Sequence, residues 1–192
     1  GLLTLMAAFA LGLGTTFPVC VVSLQNSVAR PQVGTITGAI YTGAGDDTLY
    51  NATGATWNAS GYSDFGDGDD TVLNYGTINM SDATISLGGY GTVAGNLFQN
   101  SGTITADGDN FIDVGAGGGL SGSLFVNDDT IDMQDGAADD SLTIYGDFAG
   151  TGDINVDVEG NAGVSDMLYI EGNVAADARQ TINVDLIDLS AP

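Results

Sequence analysis

From residue 31 onward the apolar residues come in short runs with a period of two. Ser141-Leu142-Thr143-Ile144 and Asp153-Ile154-Asn155-Val156-Asp157-Val158 alternate polar and apolar side chains, as a strand with one buried face does. No long segment after residue 30 keeps a helical apolar period. Between the runs sit clusters such as Gly43-Ala44-Gly45-Asp46-Asp47, Gly66-Asp67-Gly68-Asp69-Asp70 and Ala106-Asp107-Gly108-Asp109-Asn110. Gly, Asp and Asn tolerate left-handed backbone, so these clusters read as turns. The pattern predicts an all-β fold of many short strands. The expected inward positions are Ile36, Leu49, Trp57, Val72, Ile78, Ile85, Ile104, Ile112, Ile131, Leu142 and Ile144.

The first 29 residues differ and carry no charged side chain. Gly1 to Gly14 is apolar, Pro18 breaks the run, and Val19-Cys20-Val21-Val22 reads as a strand. Residues 1–30 are thus a separate apolar N-terminal segment: a signal remnant, a cap or buried first turn, or a membrane span. A start at Gly1 rather than Met is expected of a fragment. Residues 31–192 form the second region, with repeats from near Gly34.

Those repeats set the architecture. An Asn-x-Gly-Thr-Ile motif recurs at Asn74–Ile78 and Asn100–Ile104, with a degraded copy at Asn127–Ile131 and partial copies at Gly34-Thr35-Ile36 and Gly54-Ala55-Thr56-Trp57. Its apolar position falls at 36, 57, 78, 104 and 131, in steps of 21, 21, 26 and 27 residues. A coil of three strands of about five residues with short turns takes about 20–27 residues. One coil cannot bury its own apolar side chains, whereas stacked coils form a continuous core. The expected fold is therefore a solenoid whose stacked coils pair strand to strand in parallel. Stacking places like residues above one another, so Asn51, Asn74, Asn100 and Asn127 are expected to form a hydrogen-bonded ladder inside a corner.

A second motif, Gly-x-Gly-Asp-Asp-Thr-apolar, occurs at Gly43–Leu49 and Gly66–Val72, with weaker copies at Gly108-Asp109-Asn110-Phe111-Ile112 and Ala138-Asp139-Asp140-Ser141-Leu142. Together with residues 66–78 and 100–104, Leu142–Ile154, Ser165–Gly172 and Thr181–Val184 resemble the passenger domains of bacterial type V autotransporters. The resemblance spans about residues 34–190, and 136–192 is similar to the C-terminal region that assists passenger folding. It implies a right-handed parallel β-helix displayed on the cell surface or secreted, exported through the outer membrane. It further implies an adhesive or structural stalk that meets a host-cell or extracellular glycan or protein receptor. No series of amphipathic strands with aromatic girdles, as in a membrane barrel, is present in these residues.

Charge narrows the chemistry. Two basic residues, Arg30 and Arg179, face 25 acidic ones, for a net charge of −23. Such a chain is a poor partner for nucleic acid, because neutralising phosphates takes a basic surface. With no His and a single cysteine, Cys20, there is no His-based nucleophile or zinc site and no disulfide framework. Cys20 reads as a small buried hydrophobe, and Met80, Met133 and Met167 as strand residues.

The Gly-x-Gly-x-Asp-x-apolar turns also resemble the nonapeptide of RTX calcium-binding repeats. Calcium takes six to eight oxygen ligands, which makes Asp46, Asp47, Asp69, Asp70, Asp109, Asp139 and Asp140 candidate ligands. RTX repeats run in tandem. Here the copies are isolated and the third has Asn110 in the Asp position, so these residues read equally as solvated turns. No cofactor is required on this reading, with calcium the candidate ion. Asp128-Asp129 or Asp139-Asp140 would be the carboxylate pairs of a sugar-acting enzyme, but no cleft-forming insertion is present, and the expectation is a non-enzyme. Tyr50, Trp57, Tyr62, Tyr75 and Tyr90 are candidates for stacking on sugars. Asn51-Ala52-Thr53 and Asn58-Ala59-Ser60 match glycosylation acceptors.

Overall fold

In the computed structural model, the structure describes residues 17–21, 28–29, 34–88, 95–115 and 122–188. It is an all-β parallel solenoid of about five turns, with no helix among the described residues. The strands form two hydrogen-bonded sheets, of twelve and six strands. The larger sheet wraps around a corner, so a coil presents three faces.

The first face stacks the strands Gly34–Tyr41, Ala55–Asp64, Thr77–Ser86, Thr103–Asp107, Thr130–Asp132, Asp153–Glu159 and Thr181–Ile187, each parallel to the next. Their register aligns Ile36, Trp57, Ile78, Ile104, Ile131, Ile154 and Ile182 in one inward column. Among the described residues, two strands precede Gly34: Phe17–Val21 pairs with Gly34–Tyr41, and Val28–Ala29 pairs with Thr48–Asn51. The paired structure thus begins ahead of the repeats visible in the sequence.

The second face begins as the far half of the long strands. Ala55–Asp64 and Thr77–Ser86 shift register between Ser60 and Gly61, where the chain turns the corner. Asp82 takes a left-handed φ of 45° at this bend, a conformation Asp tolerates. In the next coil the bend becomes a break between Thr103–Asp107 and Asp109–Asp113. One coil later it is a full connection, residues 133–140, between Thr130–Asp132 and Ser141–Tyr145. The corner that widens in this way holds the acidic junction described below.

The third face stacks Thr48–Asn51, Thr71–Asn74, Leu97–Asn100, Leu124–Asn127 and Asp147–Ala149. Its inward column runs Leu49, Val72, Phe98, Phe125, Phe148, all buried. The three Phe rings stack at 5.0 and 5.7 Å between centroids. A buried side chain of this size stabilises by about 1.5–3 kcal/mol, so each coil gains only through its neighbours. All eleven expected inward positions are buried. At the last described rung the pattern changes: Ile182, Val184 and Leu186 are more than half exposed, because no further strand among the described residues covers them.

Candidate functional site

Asn51, Asn74, Asn100 and Asn127 each close a strand of the third face and are at most 1% exposed. Asn51 Nδ2 donates to Asn74 Oδ1 (2.8 Å), Asn74 Nδ2 to Asn100 Oδ1 (2.7 Å), and Asn100 Nδ2 to Asn127 Oδ1 (2.8 Å). The same amides donate to the carbonyls of Thr77, Thr103 and Thr130. An amide carries both donors and an acceptor, so identical side chains satisfy one another down a stack. Gln180 ends the ladder, accepting from Asn127 Nδ2 at 2.7 Å. Just past this ladder the chain turns with backbone against backbone. A Cβ on Gly102 would collide with the carbonyl of Gly76, which explains the glycine in the Asn-x-Gly-Thr-Ile motif.

The Gly-x-Gly-Asp-Asp turns lie one corner earlier, ahead of the same face. Gly66 has φ +92°, and a Cβ there would land on the Gly43 carbonyl of the coil below. The two Asp residues have different tasks. The outer pair bonds backward: Asp69 N–H donates to Asp46 Oδ1 (2.9 Å) and Gly95 N–H to Asp69 Oδ1 (2.8 Å). The inner pair bonds forward: Asp47 N–H donates to Asp70 Oδ1 (2.8 Å) and Asp70 N–H to Asn96 Oδ1 (2.8 Å). Burial pushes the Asp70 carboxyl up to about 7 against the lowering effect of the Asp47 N–H, and the charges of Asp47, Asp46 and Asp69 push the same way.

The side chain stacked on Asp70 is therefore Asn96, not Asn110 as the repeat alignment implied. Asn110 sits at the corner between the first and second faces, where Ala83 N–H donates to its Oδ1. The weaker motif copies, 108–112 and 138–142, lead into second-face strands and are not equivalent to Gly43–Leu49 and Gly66–Val72. The signal that separates them is in the sequence: Asp47, Asp70, Asn96 and Ser123 each stand four residues before a ladder asparagine.

That widened corner gathers carboxylates. Among the described residues, one group of three converges: single oxygens of Asp107, Asp135 and Asp140 lie within 4.8 Å of one another. Asp140 is 3% exposed, whereas Asp107 and Asp135 are exposed. Gly108 N–H donates to Asp140 Oδ1 at 2.6 Å, and Asp140 N–H donates to Asp166 Oδ1 at 3.1 Å. Asp166 Oδ2 accepts from Asp157 N–H (2.7 Å), and Asp157 Oδ2 accepts from the N–H groups of Asp135 (3.1 Å) and Gly136 (2.7 Å). Burial pushes the Asp140 carboxyl up to about 6, against the Gly108 N–H, and the charges of Asp135, Asp166 and Asp107 add to it. Burial also raises Asp166, against the N–H groups of Asp157 and Asp140. Sequence reasoning picked out Asp140 but not Asp107, Asp135, Asp157 or Asp166, which carry no repeat signature. Asp109 takes a different partner, accepting from Ser141 Oγ at 2.7 Å, and Asp139 is exposed. Asp46, Asp47, Asp69 and Asp70 are not brought into a three-carboxylate group among the described residues.

The remaining candidates scatter. Trp57 is fully buried with Nε1 on the Gly38 carbonyl at 2.9 Å, so it packs the core and cannot stack on a sugar. The Tyr50 and Tyr75 rings meet by the third face, tilted by 38° with centroids 5.2 Å apart, whereas Tyr62 is half exposed on the second, so they form no single platform. Tyr90 and Arg30 lie outside the described residues, as does most of the apolar segment 1–16 and 22–27. Cys20 is on the strand Phe17–Val21, whose side chains are likewise outside them. Asn51 is enclosed in the ladder and is no glycosylation acceptor; Asn58 is half-buried and accepts from Asn79 Nδ2. Met80 and Met133 are buried and Met167 is exposed. Asp128 and Asp129 are both exposed in the turn before Thr130–Asp132. A shallow open depression on the second face is lined by Thr84, Phe111, Asp113, Tyr145 and Glu171. Among the described residues no helix is long and apolar enough to cross a membrane. No protein-family model, curated protein or solved structure matches this chain.

Proposed function

We propose that this chain is part of a surface-displayed or secreted passenger, a non-catalytic β-solenoid that acts as a stalk with an adhesive outer face. The observation that carries the reading is the uninterrupted register of the first face, from Ile36 to Ile154, with no domain inserted between coils among the described residues. Such a stack spends its residues on length and on repeating outer ranks. One rank runs Thr37, Asn58, Asn79, Thr105, and its side chains bond from coil to coil: Asn79 Nδ2 to Asn58 Oδ1 at 2.8 Å, and Thr105 Oγ1 to Asn79 Oδ1 at 3.0 Å. Ordered amides and hydroxyls at strand spacing suit a glycan or glycoprotein receptor outside the cell. The charge of −23 keeps the stalk soluble and opposes self-association.

The test is circular dichroism and thermal melting of the chain in EGTA, followed by binding to immobilised extracellular glycans and glycoproteins. The expected result is a β-rich, cooperative melt without calcium and saturable binding weakened by Asn58→Ala and Asn79→Ala. A chain disordered in EGTA that folds on calcium would replace this reading with the RTX-like one. Release of new reducing ends from a polysaccharide would replace it with an enzyme.

A further inference from the structure

We propose that Asp107, Asp135 and Asp140 form a calcium site that clamps the 133–140 connection to the corner of the coil beneath it. Two independent observations meet here. The first is the convergence of three carboxylate oxygens within 4.8 Å, contributed by the end of Thr103–Asp107, by the connection, and by the residue before Ser141–Tyr145. The second is Asp140 itself. Its side chain is 3% exposed, its Oδ1 is used by Gly108 N–H, and its enclosed Oδ2 receives no hydrogen bond from the protein. A buried carboxylate oxygen without a donor is costly unless a positive charge faces it.

No side chain of this chain supplies that charge among the described residues. Arg179 is the one basic side chain there, and its guanidinium is engaged by the carbonyls of Ala176 and Ala178. The donors are all carboxylate oxygens, which selects a hard cation over zinc or copper. Calcium fits better than magnesium because it accepts irregular geometry and six to eight oxygens. Asp107 and Asp135 face solvent and leave room for water ligands. The site would act mechanically, fixing the connection that widens this corner. It is distinct from the Gly-x-Gly-Asp-Asp turns, whose Oδ1 atoms staple neighbouring coils.

The experiment is calorimetric titration of calcium chloride into the full chain, stripped with EDTA and desalted, at about 0.15 M NaCl to suppress diffuse counterion binding. The expected result is one saturable equivalent and a raised melting temperature. The double variant Asp107→Asn with Asp135→Asn should weaken binding by at least about tenfold. Both residues are exposed, so this variant keeps its fold, which its circular dichroism in EGTA verifies. Asp177→Asn, an exposed carboxylate on the last rung, should leave affinity within about twofold. Absence of saturable binding overturns the proposal. So does binding that the double variant leaves unchanged, or that Asp177→Asn weakens equally, since either means diffuse attraction to a highly acidic protein.

Discussion

The asparagine corner and the acidic junction solve the same problem with different chemistry. Both must satisfy polar groups inside a turn that every coil repeats. In the asparagine corner each side chain carries donor and acceptor, so the next copy completes it, from Asn51 to Asn127, and only the first-rung acceptor, Asn51 Oδ1, is left enclosed without a donor. In the junction Asp140, Asp157 and Asp166 only accept. They consume backbone N–H groups and still leave Asp140 Oδ2 and Asp157 Oδ1 enclosed without a partner. A ladder of amides can extend indefinitely, whereas a cluster of carboxylates accumulates charge and needs protons or a cation.

The largest expected effect comes from breaking the amide ladder. Asn74→Leu keeps the volume but removes the acceptor for Asn51 and the donor to Asn100 and Thr103. Stranding those groups should cost about 4 kcal/mol and lower the melting temperature by about 10 °C. An unchanged melt would mean that water replaces the ladder.

Acidity provides the next contrast. Asp70 is pushed up to about 7 and Asp140 to about 6 from an ordinary 3.8. In the folded chain these groups hold protons that the unfolded chain releases. That stabilisation is complete below the unfolded value and is lost as pH rises from about 4 through about 6 to 7. The melting temperature in EGTA should therefore fall by about 5 °C between about pH 5 and 8. A rise over the same interval would show that the carboxylates are held ionised. Asp70→Asn sharpens the point, because Asn still accepts the Asp47 N–H and is what the next coil already uses at Asn96. It should stabilise by about 1–2 kcal/mol at pH 8 and flatten the pH dependence. The smallest effect is expected at Asp128, exposed and bonded to Thr151 N–H at 3.3 Å. Asp128→Ala should change stability by less than about 0.5 kcal/mol, measured by urea unfolding.

Much of the fold is legible in the chain because a solenoid writes its register locally. Columns of Ile and Asn recur at coil spacing, and each coil repeats what its neighbour needs. What misled the motif reading was composition. Asp109-Asn110 and Asp139-Asp140 look like Asp46-Asp47 but stand at a different corner, because Gly and Asp are chosen by turn geometry wherever a turn falls. Trp57 shows the same limit: an aromatic in a strand serves the core or a ligand according to which side faces inward, and the repeat offered it as an inward position while its aromatic ring offered it as a sugar-stacking candidate.

The sequence by itself determined the all-β class, the stacked repeat, the inward columns and the asparagine ladder, since each follows from period-two alternation and a coil-length repeat. Only the tertiary structure decided which acidic residues meet. Asp107, Asp135 and Asp140 are separated by up to a full coil, and Asp157 and Asp166 join them through a connection that interrupts the repeat. Periodicity predicts what stacks on what while the coil keeps its length. Where the corner widens between Asp132 and Ser141, the contacts depend on the path of that one connection, which no repeat encodes.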